Sequence, residues 1–280
     1  MNIGISTGFI YDRNIQESLI LIKGAGFRFI EVWSCPLNGE YVHFDWRQEQ
    51  KIRDLESSLY ELDLKVNSLH APFSESLDIS DINETFRTEA VKATIRTAEV
   101  LKRLGGEILV LHPASKNHHM HNKQARLDQS RKSIEEIFRH TQELGLKIAL
   151  ENQLPHILGG DVPTLLSILG AYPKEKMGIC FDTSHANLYP EHNVVEPYRK
   201  LADRVIALHV SDNYGQRDDH FIPGDGTIDW QKFIAALRET DYRGVFTLEI
   251  LGGRNRDRCT VMTNLQQQME LLVGNKTKTI

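Results

Sequence analysis

Short apolar runs alternate along this chain with longer stretches in which apolar residues recur every three or four positions. The short runs are rich in β-branched and aromatic residues. They are NIGIS from Asn2, FRFIEV from Phe27, LKVNSLH from Leu64, EILVLH from Glu107, LKIALEN from Leu146, MGICFD from Met177, VIALHV from Val205 and GVFTLEI from Gly244. Between them the spacing predicts amphipathic helices. Glu89 to Leu104 sets Val91, Ile95, Ala98 and Leu101 on or near one face, with Lys92, Arg96 and Arg103 off it. Arg131 to Leu144 carries Ile134, Ile137, Phe138 and Leu144 as its stripe. Strands separated by helical crossovers make a parallel sheet. Eight such units close most simply into a single (β/α)8 TIM barrel, an α/β fold whose active site lies at the C-terminal ends of the strands. The alternative, an open doubly wound sheet, calls for a glycine-rich phosphate turn after the first strand. The segment STGFIYDRN has no GxGxxG.

Polar residues sit where a barrel would place chemistry. Predicted strands end at His70, His112, Glu151, Asp182, His209 and Glu249. Side chains alternate along a strand, so the residue two positions earlier shares their side. Those residues are Ser68, Val110, Ala149, Cys180, Ala207 and Thr247, all small or medium. The intervening Leu150, Phe181, Leu208 and Leu248 are large and apolar, as suits the face beneath the outer helices. The register therefore points the polar set into the barrel. Carboxylates and imidazoles converging without a counter-charge would repel and desolvate at high cost, and a divalent cation removes that cost. Mixed imidazole and carboxylate ligands suit Zn, Mn, Fe or Co better than Mg or Ca. His185 in FDTSH, and Asp218 and His220 in RDDHFIPGDG, are candidates for a further site beside the first, with Asp219 an alternative to Asp218.

Composition narrows the class without choosing the reaction. The chain has 280 residues, a formal net charge of −5 and three widely spaced cysteines, Cys35, Cys180 and Cys259, with no CxxC. That cysteine usage fits a reducing compartment. The N-terminus reads as a first strand and not a signal peptide, and no apolar stretch is long enough to span a membrane. A cytoplasmic protein is expected, with one domain over residues 1–273 and a polar tail over 274–280. The negative charge argues weakly against a nucleic-acid partner.

The run of LHAPF, VLHP, LEN, FDTSH, LHVSDN, D-x-H-x-x-x-G-x-G and TLEI resembles the xylose isomerase-like TIM-barrel superfamily. That group includes sugar isomerases and epimerases and the endonuclease IV-like apurinic endonucleases (AP endonuclease family 2). The resemblance covers nearly the whole chain in order. From the epimerase branch it implies one metal on Glu151, Asp182, His209 and Glu249. From the endonuclease branch it implies three zinc ions on those four together with His70, His112, His185, Asp218 and His220. One to three divalent ions, Zn or Mn, are thus expected, and by analogy a homodimer.

Two reactions suit such a scaffold. The first is isomerisation or epimerisation of a sugar or sugar phosphate. There the resemblance gives Glu151 and Glu249 the proton transfer beside a carbonyl polarised by the metal. The second is phosphodiester hydrolysis at abasic DNA, the only reading that brings in a nucleic acid. A dehydratase, or a metal-binding protein without turnover, is a third class. The loop APFSESLDISDIN carries Glu75, Asp78 and Asp81 and no Lys or Arg, a poor surface for phosphates. The loop after the second strand holds Trp33, Tyr41, Phe44 and Trp46. Trp33 is a candidate for stacking on a substrate. Arg254, with Arg256 and Arg258, is a candidate for holding a phosphate. His118, His119 and His121 in KNHHMHNK fall outside the strand-end register and read as an exposed loop. Trp230 reads as an anchor for the following helix. The isomerase reading is favoured.

Overall fold

Eight parallel strands pair in chain order: β1 (Asn2–Ser6), β2 (Phe29–Trp33), β3 (Lys65–His70), β4 (Ile108–Leu111), β5 (Lys147–Glu151), β6 (Met177–Asp182), β7 (Val205–Val210) and β8 (Val245–Leu248). β8 pairs with β1 and closes the barrel. The crossovers are α1 (Ile15–Gly24), α2 (Glu49–Glu61), α3 (Glu84–Arg103), α4 (Lys123–Glu143), α5 (Val162–Leu169), α6 (Thr183–Asn187), α7 (Val195–Leu201) and α8 (Trp230–Glu239), and α9 (Arg258–Leu272) follows the last strand. The structure, a computed structural model, describes residues 1–116, 122–189, 193–251 and 258–274. His118, His119, His121, Arg254 and Arg256 lie outside the described residues, as does most of the polar tail. Among the described residues no helix is long and apolar enough to cross a membrane.

Alternation along the strands sorts the core into two layers, as the sequence pattern requires. Ile108, Val110, Ala149, Cys180 and Ala207 form a small cluster of their own, the filling of the barrel. Leu69, Leu109, Leu150, Phe181, Leu208 and Leu248 belong to the large cluster between the sheet and the helices. These small interior residues take up little room at the barrel axis, and the next inward side chains up each strand converge above them at the mouth.

Two one-residue register shifts adjust that convergence. Between β2 and β3, Ile30 pairs with Val66 but Glu31 pairs with Ser68, so Asn67 is extra. Between β6 and β7, Ile179 pairs with Val205 but Cys180 pairs with Ala207, so Ile206 is extra. Each shift re-phases the residues beyond it and brings Asp182 level with His209 and Glu31 level with Ser68.

The two helices expected from periodicity are longer than that pattern shows. α3 starts at Glu84 and not Glu89, and α4 at Lys123 and not Arg131. Asn83 caps α3 by accepting from the Thr85 and Phe86 amides. The early turns went unread because their core-facing residues are arginines. Arg87 is buried against Glu84, Glu136 and Ser133, and Arg126 against Asp78 and Ser80. A charged residue at a buried position breaks the apolar stripe without breaking the helix.

Candidate metal centre

His70, Glu151, Asp182 and His209 occupy the C-terminal parts of β3, β5, β6 and β7, while His112 and Glu249 directly follow β4 and β8. All six strand-end residues meet at one mouth. Glu151 is their hub. Its Oε2 lies 3.1 Å from His70 Nε2 and 3.0 Å from His112 Nε2, and its Oε1 lies 3.2 Å from His209 Nδ1. His209 Nδ1 is also 3.0 Å from Glu249 Oε2. A second knot adjoins the first. Asp218 Oδ2 lies 3.3 Å from His185 Nε2 and 3.0 Å from His220 Nε2. Three sets each keep their ligand-capable atoms within 4.8 Å of one another: Glu151, Asp182, His209 and Glu249; His70, Glu151 and His209; and His185, Asp218 and His220. His112 joins through Glu151 and stands outside those sets. The choice between Asp218 and Asp219 falls on Asp218, since Asp219 turns to Arg217 at 3.4 Å.

The imidazoles are oriented by what holds their far nitrogens. His70 Nδ1 donates to the Ala71 carbonyl at 2.9 Å, His185 Nδ1 to the Asn152 carbonyl at 2.7 Å and His220 Nδ1 to the Glu249 carbonyl at 2.8 Å. A carbonyl can only accept, so each ring carries a proton on Nδ1 and turns Nε2, the nitrogen that could ligate an ion, to the cluster. Asn152 does more than accept from His185. Its side chain accepts from the Asp182 amide at 2.7 Å and donates to the Asp182 carbonyl at 3.0 Å, which fixes that strand end from both sides.

Charge in the cluster is finely opposed. Burial works against ionised Glu151, yet His209 and His112 beside it hold its carboxyl well below the ordinary value. Burial pushes Asp182 up to about 7, with His185 and His220 pulling the other way. Burial disfavours a charged His220, but Asp218 and Glu249 lift it to about 10. Two things can neutralise such an assembly: protons on the rings, or a divalent cation. Asp182 Oδ2 and Asp218 Oδ1 are shielded from solvent without a hydrogen-bond partner. Unpaired buried acceptors are costly, and both belong to residues of the ligand sets. The donor chemistry therefore fits a divalent metal.

The loop carrying Asp218 and His220 into place is wound around one buried carboxylate. Asp212 accepts from the amides of Asn213, Gly224 and Ile228 and from Trp230 Nε1 at 2.8 Å. Trp230 thus ties the loop to α8, in keeping with its reading as an anchor. A side chain at Gly226 would meet Asp212 Oδ1 at 2.2 Å, which explains glycine there. His220 takes a left-handed backbone conformation (φ +48°) and lies beside the Asp212–Phe221 bridge. Asp212→Ala strips the acceptor from several buried donors at once. It should cost about 3 kcal/mol, seen as a lower denaturant midpoint by Trp fluorescence. An unchanged midpoint would remove Asp212 from this role.

Some sequence readings change on contact with the fold. Phe44 and Trp46 are core residues, and the Trp46 indole donates to the Ser34 carbonyl at 3.1 Å. Trp33 is half-buried at the end of β2, over Gly8 and 5.6 Å from the Tyr11 ring. Asp78 and Asp81 do not form an acidic surface. Asp78 is paired with Arg126 at 3.0 Å and Asp81 with Lys116 at 2.7 Å. Arg126 and Lys116, from outside the loop, thus neutralise these two carboxylates, and Glu75 is left as the exposed acid of the stretch. Phe73 of that loop packs 4.0 Å from the His112 ring and gives the mouth an apolar wall.

The protein is a closed parallel barrel with a carboxylate–imidazole cluster, able to hold a metal ion, at the C-terminal mouth. The chain belongs to the xylose isomerase-like TIM-barrel family, whose model matches residues 19–272. It is 31% identical over 254 residues to the uncharacterized protein MJ1311 of Methanocaldococcus jannaschii, covering 89% of this chain and 83% of that one. The crystal structure of a D-tagatose 3-epimerase-like protein superposes with a TM-score of 0.81 at 25% identity, over 98% of each chain. A probable endonuclease 4 of Pediococcus pentosaceus is 30% identical over 202 residues, 65% of this chain and 64% of that protein.

Proposed function

We propose that this chain is a metal-dependent isomerase or epimerase of a sugar or sugar phosphate, working in the cytoplasm. One observation carries the reading: Glu151 and Glu249 approach the same His209 nitrogen from two strands, at 3.2 and 3.0 Å, with Asp182 completing the set. Those four residues would hold one divalent ion, Zn or Mn, which when bound polarises a carbonyl and acidifies the neighbouring C–H. Glu151 and Glu249 are the proton carriers. One takes the proton from the carbon beside the carbonyl, and the other returns a proton to the opposite face. The Phe73 wall and half-buried Trp33 offer apolar surface to a sugar ring. The near end-to-end likeness to a D-tagatose 3-epimerase-like protein supports the same reading.

A second reading has its own support. A one-metal epimerase needs none of His70, His112, His185, Asp218 and His220 as ligands, yet the four imidazoles turn Nε2 to Glu151 or to Asp218 beside the first set. They would hold two further ions and favour phosphodiester hydrolysis of the endonuclease IV type, a reading supported by the endonuclease 4 relative. Two assays on one preparation separate the reactions. Deuterium uptake from solvent into a panel of ketoses and ketose phosphates is expected; nicking of an abasic duplex is not. Rapid nicking without deuterium uptake would reverse the order.

A further inference from the structure

Glu31 lies at the mouth, buried, in the middle of an otherwise apolar strand. It is absent from every ligand set above. Its carboxylate stands behind His209: Oε1 is 3.0 Å and Oε2 3.1 Å from His209 Nε2. Ser68 Oγ donates to Oε2 at 2.8 Å, a contact made possible by the register shift that sets Ser68 level with Glu31. His209 is reversed relative to its neighbours. His70, His185 and His220 are held by Nδ1 on backbone carbonyls and offer Nε2, whereas His209 is held by Nε2 and offers Nδ1 to Glu151 and Glu249. It alone among these four is held by a carboxylate.

We propose that Glu31 is the positioning residue of the metal site, fixing His209 as the Nε2–H tautomer so that the Nδ1 lone pair faces the ion. The inference rests on the metal reading of Glu151, Asp182, His209 and Glu249. Ser68 Oγ and His209 Nε2 both meet this carboxylate, whose oxygens accept from them, so Nε2 is the nitrogen that keeps its proton and Nδ1 the one that can give its lone pair to an ion. His209 Nδ1 accordingly faces the ligand set, 3.2 Å from Glu151 and 3.0 Å from Glu249. A charge-assisted bond also raises the basicity of the ligating nitrogen more than a carbonyl does. Glu31 itself is too deeply enclosed to touch substrate.

The test is Co(II) titration of the metal-free full chain by calorimetry, with ¹H–¹⁵N correlation spectra of the histidine rings. Glu31→Leu should weaken Co(II) binding about 10- to 100-fold and lose the pure Nε2–H signature of His209. Glu31→Gln, whose side-chain oxygen still accepts, should keep that signature and bind roughly threefold or more weaker than wild type. The tautomer signal is a readout that mere packing would not move. An Nδ1–H tautomer in the wild type would overturn the proposal. So would Co(II) affinity equal to wild type in the leucine variant, or in the glutamine variant if leucine prevents folding. Failure of the wild type to take up Co(II) would instead overturn the metal reading, and this inference with it.

Discussion

Glu151→Gln should lower turnover, and deuterium uptake into the accepted ketose, by about a thousandfold or more while the far-ultraviolet circular dichroism stays unchanged. General acid–base groups contribute on the order of a hundred- to ten-thousandfold, and this residue has a second burden. Both its oxygens are engaged, Oε2 by His70 and His112 and Oε1 by His209. An amide nitrogen has no lone pair to give an ion, and its N–H would hydrogen-bond a ring nitrogen instead, so ligand geometry suffers with the chemistry. Glu249→Gln should fall as far in turnover for the same reason at His209 Nδ1. It should keep the geometry of the His185–Asp218–His220 knot, because His220 hydrogen-bonds the Glu249 backbone carbonyl, while removing one of the carboxylate charges that raise His220. Turnover within tenfold of wild type in either variant would end the two-carboxylate mechanism.

Chelation should abolish turnover, and added Mn or Zn should restore it. The thermal midpoint should fall at the same time. An ion present at about a thousandfold over its Kd stabilises the fold by about 4 kcal/mol, which for a domain of this size is a drop of roughly 10 °C. Elemental analysis before chelation adds the count: one ion per chain accords with the epimerase reading, three with the hydrolase. Full activity and an unmoved midpoint after exhaustive chelation would leave neither reaction standing.

Most of the mouth was legible because alternation is a strict rule. Once MGICFD and VIALHV are read as strands, Asp182 and His209 must face the side of Cys180 and Ala207, and they do. Glu31 escaped because strand ends were read by their last polar residue, and β2 runs on to Val32 and Trp33. The signal was there: a carboxylate between Ile30 and Val32 has no cheap place unless a partner waits inside. Other features depend on contacts between distant segments. Nothing local says that Asp78 will find Arg126, or that the Asn152 side chain will clasp the backbone of Asp182. The arginines that hid the first turns of α3 and α4 are the same kind of case: a residue type that reads as surface became interior because its counter-ion came from elsewhere.

The extra residues Asn67 and Ile206 set a boundary for anyone re-purposing this scaffold. Loops other than the one after β7, which carries Asp218 and His220, can be exchanged to suit a new substrate, since the six-residue ring is carried by the strands and their first flanking residues. Deleting either extra residue would leave Ser68 opposite Glu31 and Ala207 opposite Cys180, and so keep the inward facing. Deleting Leu69 or Leu208, beyond them, would instead turn the rest of the strand inside out: His70 in one case, or His209 in the other, would swing toward the helices, and an apolar neighbour would be delivered to the mouth.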